Sequence, residues 1–277
     1  MREAVIVSGC RTAIGNFGGG LKPVPVVDLG AIVIRNVFER MNLRPVRSDS
    51  ATLCVPDKLK DQAQLELERQ FGQWDESATP VAVDEVVMGN VLQAGQGQNP
   101  ARQAAVRGGI AKETPAYTVN KVCGSGLKAI ALAASAIMTG EADVVVAGGM
   151  ENMSRVPMAL LDARWGYRMA LNGRADLHDL MVFDGLYEIF YGYHMGQTAE
   201  NIAALYDISR QAQDELGVLS HQRARKAIED GTFSQEIVPV TIATRKGDTV
   251  VDTDERPMET SFEKMSKLRP AFKKDGS

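Results

Sequence analysis

Residues 117–133 read YTVNKVCGSGLKAIALA, so a cysteine stands between a β-like run and an Ala- and Leu-rich helix, with glycines on both sides of the next serine. A cysteine just ahead of a helix meets outward-pointing N–H groups and the positive end of the helix dipole. That setting favours thiolate over thiol and makes Cys123 a candidate nucleophile. Gly124 and Gly126 strip side chains from the approach and permit the unusual dihedrals of a tight elbow. The same N–H groups are suited to hold the oxyanion formed when a thioester is attacked, a logic shared with serine elbows. The plain alternative is a small buried residue at a helix start; the glycine pair and the preceding strand argue for chemistry. Cys10 and Cys54 lack such an elbow and read as inert small residues.

The elements that must position Cys123 follow from pattern. Val5 to Ser8 reads as a short buried strand, and Arg11 to Pro25, rich in Gly and Pro, as a loop. Asp28 to Met41 has helical apolar spacing and an acidic start. Residues 84–88 form a second strand, and Pro100 to Val106 opens a helix with Pro in its first turn. A third strand ends at Val119, Gly124 to Met138 is a helix, and Val144 to Ala147 is a fourth strand. This alternation predicts a parallel or mixed sheet with helices on its faces. Residues 48–79 interrupt it; the polar run Lys58 to Trp74 predicts an exposed helix in a solvated surface insertion. Residues 151–195 are loop-rich. Two helices follow, Thr198 to Tyr206 and Ser209 to Asp230, with Thr198 and Ser209 as N-caps. Residues 237–243 and 249–252 predict a strand pair about Lys246 to Asp248.

Composition excludes several classes. The chain has 277 residues, 44% hydrophobic and 24% charged, the balance of a soluble globular protein. A formal charge of -4 argues against general affinity for nucleic acid or anionic membrane. No apolar run approaches a membrane span and no signal peptide opens the chain, so the cytoplasm is expected. Three scattered cysteines offer neither a disulfide framework nor a zinc pattern.

Longer stretches carry a resemblance. They are SGCRTAIGNFGG at the start, MGNVLQAGQGQNPARQAA at 88–105, VNKVCGSGLKAIALA at 119–133 and VVVAGGMENMSRVP at 144–157. ARWGYRM, GYHMGQTAENIA and KLRPAFKKDG follow at 163–169, 192–203 and 267–276. In these the chain resembles the thiolase family, and within it the acetyl-CoA acetyltransferases. The resemblance implies an α/β fold: a thiolase-like layered α/β/α half with an inserted CoA-binding loop domain. The expected domains are a catalytic α/β domain over 1–153, with the 48–79 insertion, and a loop domain for CoA over 154–277.

The resemblance also implies a reaction. The cysteine matching Cys123 attacks an acyl-CoA thioester, and a second acetyl-CoA, deprotonated at its α-carbon, attacks the acyl-cysteine. This ping-pong condensation makes acetoacetyl-CoA; its reverse cleaves that or another 3-ketoacyl-CoA. No cofactor beyond the coenzyme A thioester substrates is expected. His194 and Met195, in GYHMG, match the loop beside pantetheine, and Phe272 matches an aromatic beside CoA. Arg245, Lys246, Lys267 and Arg269 are candidates for CoA phosphates or ordinary surface charge. Met153, Met158, Met169 and Met195 either line an acyl tunnel or fill gaps. His178 and His221 read as surface or helix residues.

The family's GHP histidine, CxGGG cysteine and NEAF segment are not found in these residues. They are expected from a complementary C-terminal half, in a homo- or hetero-oligomer. The alternatives are a fragment of a longer product, and a non-catalytic or regulatory CoA-binding protein. A ketoacyl synthase or hydroxymethylglutaryl-CoA synthase is the enzyme rival, against which GYHMG and VNKVCGSGLK speak.

Overall fold

The computed structural model describes residues 2–47, 66–167 and 176–277. The first elements are β1 (Arg11–Thr12), α1 (Val26–Glu39), β2 (Leu43–Val46), α2 (Glu66–Phe71) and β3 (Thr79–Ala82). Then come β4 (Glu85–Gly89), α3 (Pro100–Arg107), β5 (Ala116–Val119), α4 (Ser125–Thr139) and β6 (Val145–Gly149).

The organising strand is β4. Val86, Val87 and Met88 are almost free of water contact, as in a strand buried on both faces. It lies between β5 and β6, both parallel to it, with Gly89 opposite Val119 and Gly149. Val86 and Met88 join Ile34 and Phe38 of α1 and Ala101, Ala104 and Ala105 of α3 in one apolar cluster. Val87 alternates to the other face, and α4 packs on β4 and β6. Helices on both faces of a parallel sheet are the predicted arrangement. Pro100 starts α3, where a missing N–H costs nothing, and the Asn99 side chain caps it by accepting from Arg102 N.

The predicted strand at Val5 to Ser8 is not formed, and Ile6 is 82% exposed. A strand exists through its partner's N–H and C=O groups, and no partner adjoins this segment among the described residues. A groove of about 240 Å³, lined by Ser8, Gly9 and the β6 residues Val146 to Gly149, separates it from the sheet edge.

Part of the predicted exposed helix, with Cys54, lies outside the described residues. Its described end is not a solvated excursion. Glu68 in α2 is buried and paired to Lys112 at 3.1 Å. Trp74 donates Nε1–H to Gly109 O at 2.9 Å, meets Phe38 edge-on, and carries the Arg35 guanidinium over its ring. A long amphipathic ring and a paired carboxylate outweigh the polar composition of the segment. The parallel pair β2–β3 was also not foreseen.

The remaining described elements are β7 (Met158–Ala159), β8 (His178–Asp179), α5 (Leu180–Gly185), β9 (Tyr187–Glu188) and β10 (Tyr193–His194). After them come α6 (Met195–Leu205), α7 (Arg210–Glu229), β11 (Ile237–Val238), β12 (Val240–Thr244), β13 (Gly247–Val251) and α8 (Phe262–Ser266). Ser209 caps α7 as expected. Thr198 does not cap α6. That helix starts three residues earlier, and the His194 ring Nδ1 accepts the Gly196 N–H at 3.0 Å. β12 and β13 form the expected hairpin, while β11 pairs in parallel with β1. Ile237, Val240 and Val251 then pack with Ala13, Leu21 and Leu29, so the strands after residue 236 share a core with α1.

Asp254 secures this junction. Its carboxylate accepts Arg11 Nη1 and Nη2 at 2.7 and 3.0 Å and the Ile14 N–H at 2.7 Å. Burial pushes the carboxyl up, and the bonds from Arg11 and Ile14 outweigh it, so the group titrates below the usual carboxylate range. A carboxyl depressed in the fold adds stability above the unfolded pKa, near 3.9, and loses it as pH falls through the lower folded value. Asp254→Asn is expected to cost about 2–3 kcal/mol at neutral pH and to flatten the acid limb of stability in denaturant melts. An unchanged acid limb would refute the pairing.

Candidate active site

The chain turns sharply between β5 and α4, and the strain of that turn falls on Val122. Its φ is 48°, a left-handed value rare for a β-branched residue. Gly124 has an ordinary φ of -87°, so the expectation that the glycines carry the unusual dihedrals is corrected. Five bonds hold the turn, one of them from Gly124 N–H to Lys121 O at 3.1 Å. Val122 N–H donates to Asn120 Oδ1 at 2.9 Å, and Lys121 N–H to Ser125 Oγ at 2.8 Å. The Ser125 hydroxyl donates to Val122 O at 2.6 Å, and the Ser125 N–H to the same oxygen at 3.0 Å.

Gly126 lines the cavity beside Cys123. A Cβ on it would make ordinary contact with the Gly149 backbone at 3.6 Å, whereas one on Gly149 would press on Gly126 Cα at 3.2 Å and one on Gly89 would strike Ser125 C at 2.4 Å. The start of α4 is therefore seated directly on the ends of β4 and β6. Cys123 emerges exposed, one residue before the helix N-cap Gly124.

Left-handed Val122 costs about 1–3 kcal/mol, and it is 51% exposed, so it returns little by burial. Val122→Gly is expected to leave stability within about 1 kcal/mol of the parent, relief of strain offsetting the added chain entropy. Alkylation of Cys123 is expected to slow several-fold as the sulfur loses its fixed position. Unchanged labelling would detach the strain from the thiol.

Cys123 opens on a cavity of about 400 Å³ whose walls include Val91, Leu92, Met150, Met153 and Leu186. It lies at the C-terminal ends of β4 and β6, where open α/β sheets place ligands. Two polar residues at its margin were not singled out in the sequence. Asn90 is 1% exposed, and its Oδ1 has no hydrogen-bond partner. Glu151 accepts from Asn90 Nδ2 and Val91 N at 2.9 and 2.8 Å. Burial pushes the Glu151 carboxyl up, more than the bonds from Val91, Leu92, Asn90 and Asn152 pull it down. Their only signal in sequence was a polar residue one or two positions after a strand end, in MGN and GGME.

His194, Met195 and Phe272 are brought together. The His194 and Phe272 rings stack at 4.9 Å, and Gly196 has room for no side chain because its Cβ would lie 2.2 Å from the Phe272 ring. The cluster stands beside the thiol cavity, linked to it where Met195 N–H donates to Leu186 O at 2.8 Å. Of the four methionines only Met153 lines the cavity; Met169 lies outside the described residues. Arg245 and Lys246 form the β12–β13 turn, and Lys267 pairs with Glu263. His221 accepts the Met258 N–H, and His178 meets the Phe183 ring edge-on. Cys10 is half-buried with its thiol toward Val33 O, and burial raises its pKa.

Residues 58–277 match the family model described as thiolase, N-terminal domain. An acetyl-CoA acetyltransferase of Syntrophomonas wolfei is 47% identical over 276 residues, covering all of this chain and 61% of its own length. A probable acetyl-CoA acyltransferase of Staphylococcus aureus strain COL is 47% identical over 279 residues with the same coverage. The crystal structure of the Bacillus anthracis acetyl-CoA acetyltransferase superposes with a TM-score of 0.82 at 36% identity, over 100% of this chain and 61% of that one. The chain thus spans 61% of the length of the relatives it matches. From the parallel sheet, the elbow and this agreement it follows that the chain belongs to the thiolase family.

Proposed function

We propose that this chain carries the acyl-accepting cysteine of an acyl-CoA C-acyltransferase that takes acetyl-CoA and acetoacetyl-CoA or another 3-ketoacyl-CoA. The observation that carries this reading is the exposed Cys123 sulfur, fixed by a strained turn at the mouth of an apolar cavity. The Cys123 thiolate attacks the thioester carbonyl carbon. The C–S bond to coenzyme A breaks, CoA leaves as its thiolate and takes a proton, and the acyl group stays on Cys123. Backbone N–H groups at the start of α4 face the developing oxyanion. His194, Met195 and Phe272 hold the pantetheine arm.

The α-proton transfer of the second step needs a base that the elbow does not provide. A complementary C-terminal half supplies it, in the same or another polypeptide, within an oligomer in the cytoplasm. The surface of α4 supports this. Leu127, Ile130 and Met138 are exposed along the helix, Leu127 by 75%, and such a stripe asks for cover. Contrary to the expectation that no apolar run approaches a membrane span, α4 lies in an 18-residue stretch, Val122–Thr139, apolar enough to pass for one by length and composition. Its 15 residues rise about 22 Å, short of the ~30 Å hydrocarbon core. The two relatives at 47% identity are named as an acetyl-CoA acetyltransferase and a probable acetyl-CoA acyltransferase, which does not favour a non-catalytic role.

The test is to incubate the chain with acetyl-CoA and weigh its peptides. One acetyl group on the Cys123 peptide, with one equivalent of free CoA, is expected. No adduct, or an adduct elsewhere, would overturn the proposal.

A further inference from the structure

We infer that Glu151 is a positioning residue that fixes the Val91–Leu92 wall of the Cys123 cavity and so limits the acyl chain length it accepts. The inference builds on the acyltransferase reading and names what would set its selectivity. The turn after β6 carries Glu151, and the turn after β4 carries Asn90 to Leu92. One carboxylate ties them together: Oε1 accepts Asn90 Nδ2 at 2.9 Å and Oε2 accepts the Val91 N–H at 2.8 Å. The Leu92 N–H adds to the same carboxylate. Asn90 is itself anchored, donating Nδ2–H to Met150 O at 3.1 Å and its N–H to Val119 O at 3.0 Å.

The apolar wall follows from this clamp. Leu92 is 3% exposed and abuts Gly185, where a Cβ would meet Leu92 Cδ2 at 3.1 Å. Val91 and Leu92 both line the cavity, as does Glu151. A carboxylate offers acceptors on both oxygens and no donor. A glutamine of the same size confronts some of these N–H groups with its own NH₂, so the wall loosens without a loss of volume.

The measurement is the rate at which methyl and hexyl methanethiosulfonates modify Cys123 in the full chain, read by peptide mass. Glu151→Gln is expected to raise the hexyl-to-methyl rate ratio at least fivefold. Glu255→Gln is the control for general loosening. Glu255 clamps Asn16 and Gly20 at 2.7 and 2.9 Å, and none of these residues lines the cavity. This control should leave the ratio within twofold. A folded E151Q with an unchanged ratio overturns the inference, and so does an equal rise in E255Q. If E151Q does not fold, E151D is used; its acceptors fall one methylene short, and an unchanged ratio there overturns the inference as well. A chain that takes no acetyl group from acetyl-CoA refutes the acyltransferase reading, while the alkylation ratio still decides the role of Glu151.

Discussion

Cys123→Ala is expected to abolish acyl transfer, lowering the rate by about 10⁴-fold or more, because no bond-forming atom then remains at the elbow. The substitution should leave the fold intact. The sulfur is exposed, and the bonds that shape the turn come from Asn120, Lys121, Val122 and Ser125. The readout is the acetyl adduct after incubation with acetyl-CoA, together with turnover once a complementary C-terminal half is added. Cys10→Ala is the matched control. Cys10 is half-buried against Val33 O, and it should neither gain nor lose acylation. Acylation that survives in C123A would remove the basis of the functional proposal.

The second large effect is expected at Gly89, 34 positions away in sequence. A methyl group there would stand 2.4 Å from Ser125 C and 2.5 Å from Gly126 N. These are backbone atoms at the start of a helix and cannot swing aside as a side-chain end does. Gly89→Ala therefore either pushes α4 off the sheet or displaces the turn that holds Cys123. Overpacking of this kind costs about 1–3 kcal/mol, and rigid backbone on both sides places it at the upper end. Cys123 alkylation is expected to fall at least tenfold while far-UV dichroism is retained. Parent-like stability together with parent-like alkylation would show that the strand and helix do not meet as described.

The sequence carried much of this architecture. Apolar runs bounded by Gly and Pro marked β4, β5, β6 and the helices between them, since a strand buried on both faces must be a short apolar block. Pro100 and Ser209 marked helix starts, because capping is a local property of one turn. The reading failed where a partner decides. Val5 to Ser8 has the composition of a buried strand, yet Val5, Ile6 and Val7 lie exposed, since no ladder adjoins them among the described residues. Thr198 suits an N-cap, yet the imidazole of His194 takes that place four residues earlier. Trp74 was assigned to solvent by its polar neighbours and is held by Arg35 and Phe38 of α1 and by Gly109 just past α3.

The same division runs through the site. Residue type and local order by themselves determined that Cys123 stands before a helix between glycines, and that it is a candidate for acyl transfer. Only the tertiary structure decided that Gly89 and Gly149 let the sheet ends meet the start of α4, and that Glu151 reaches across to Asn90 and Val91. The physical reason is distance along the chain. A cap or a turn is written within four residues, whereas a close backbone approach or a buried carboxylate's donors depend on segments about 25 to 60 positions apart, which come together only when the sheet has formed.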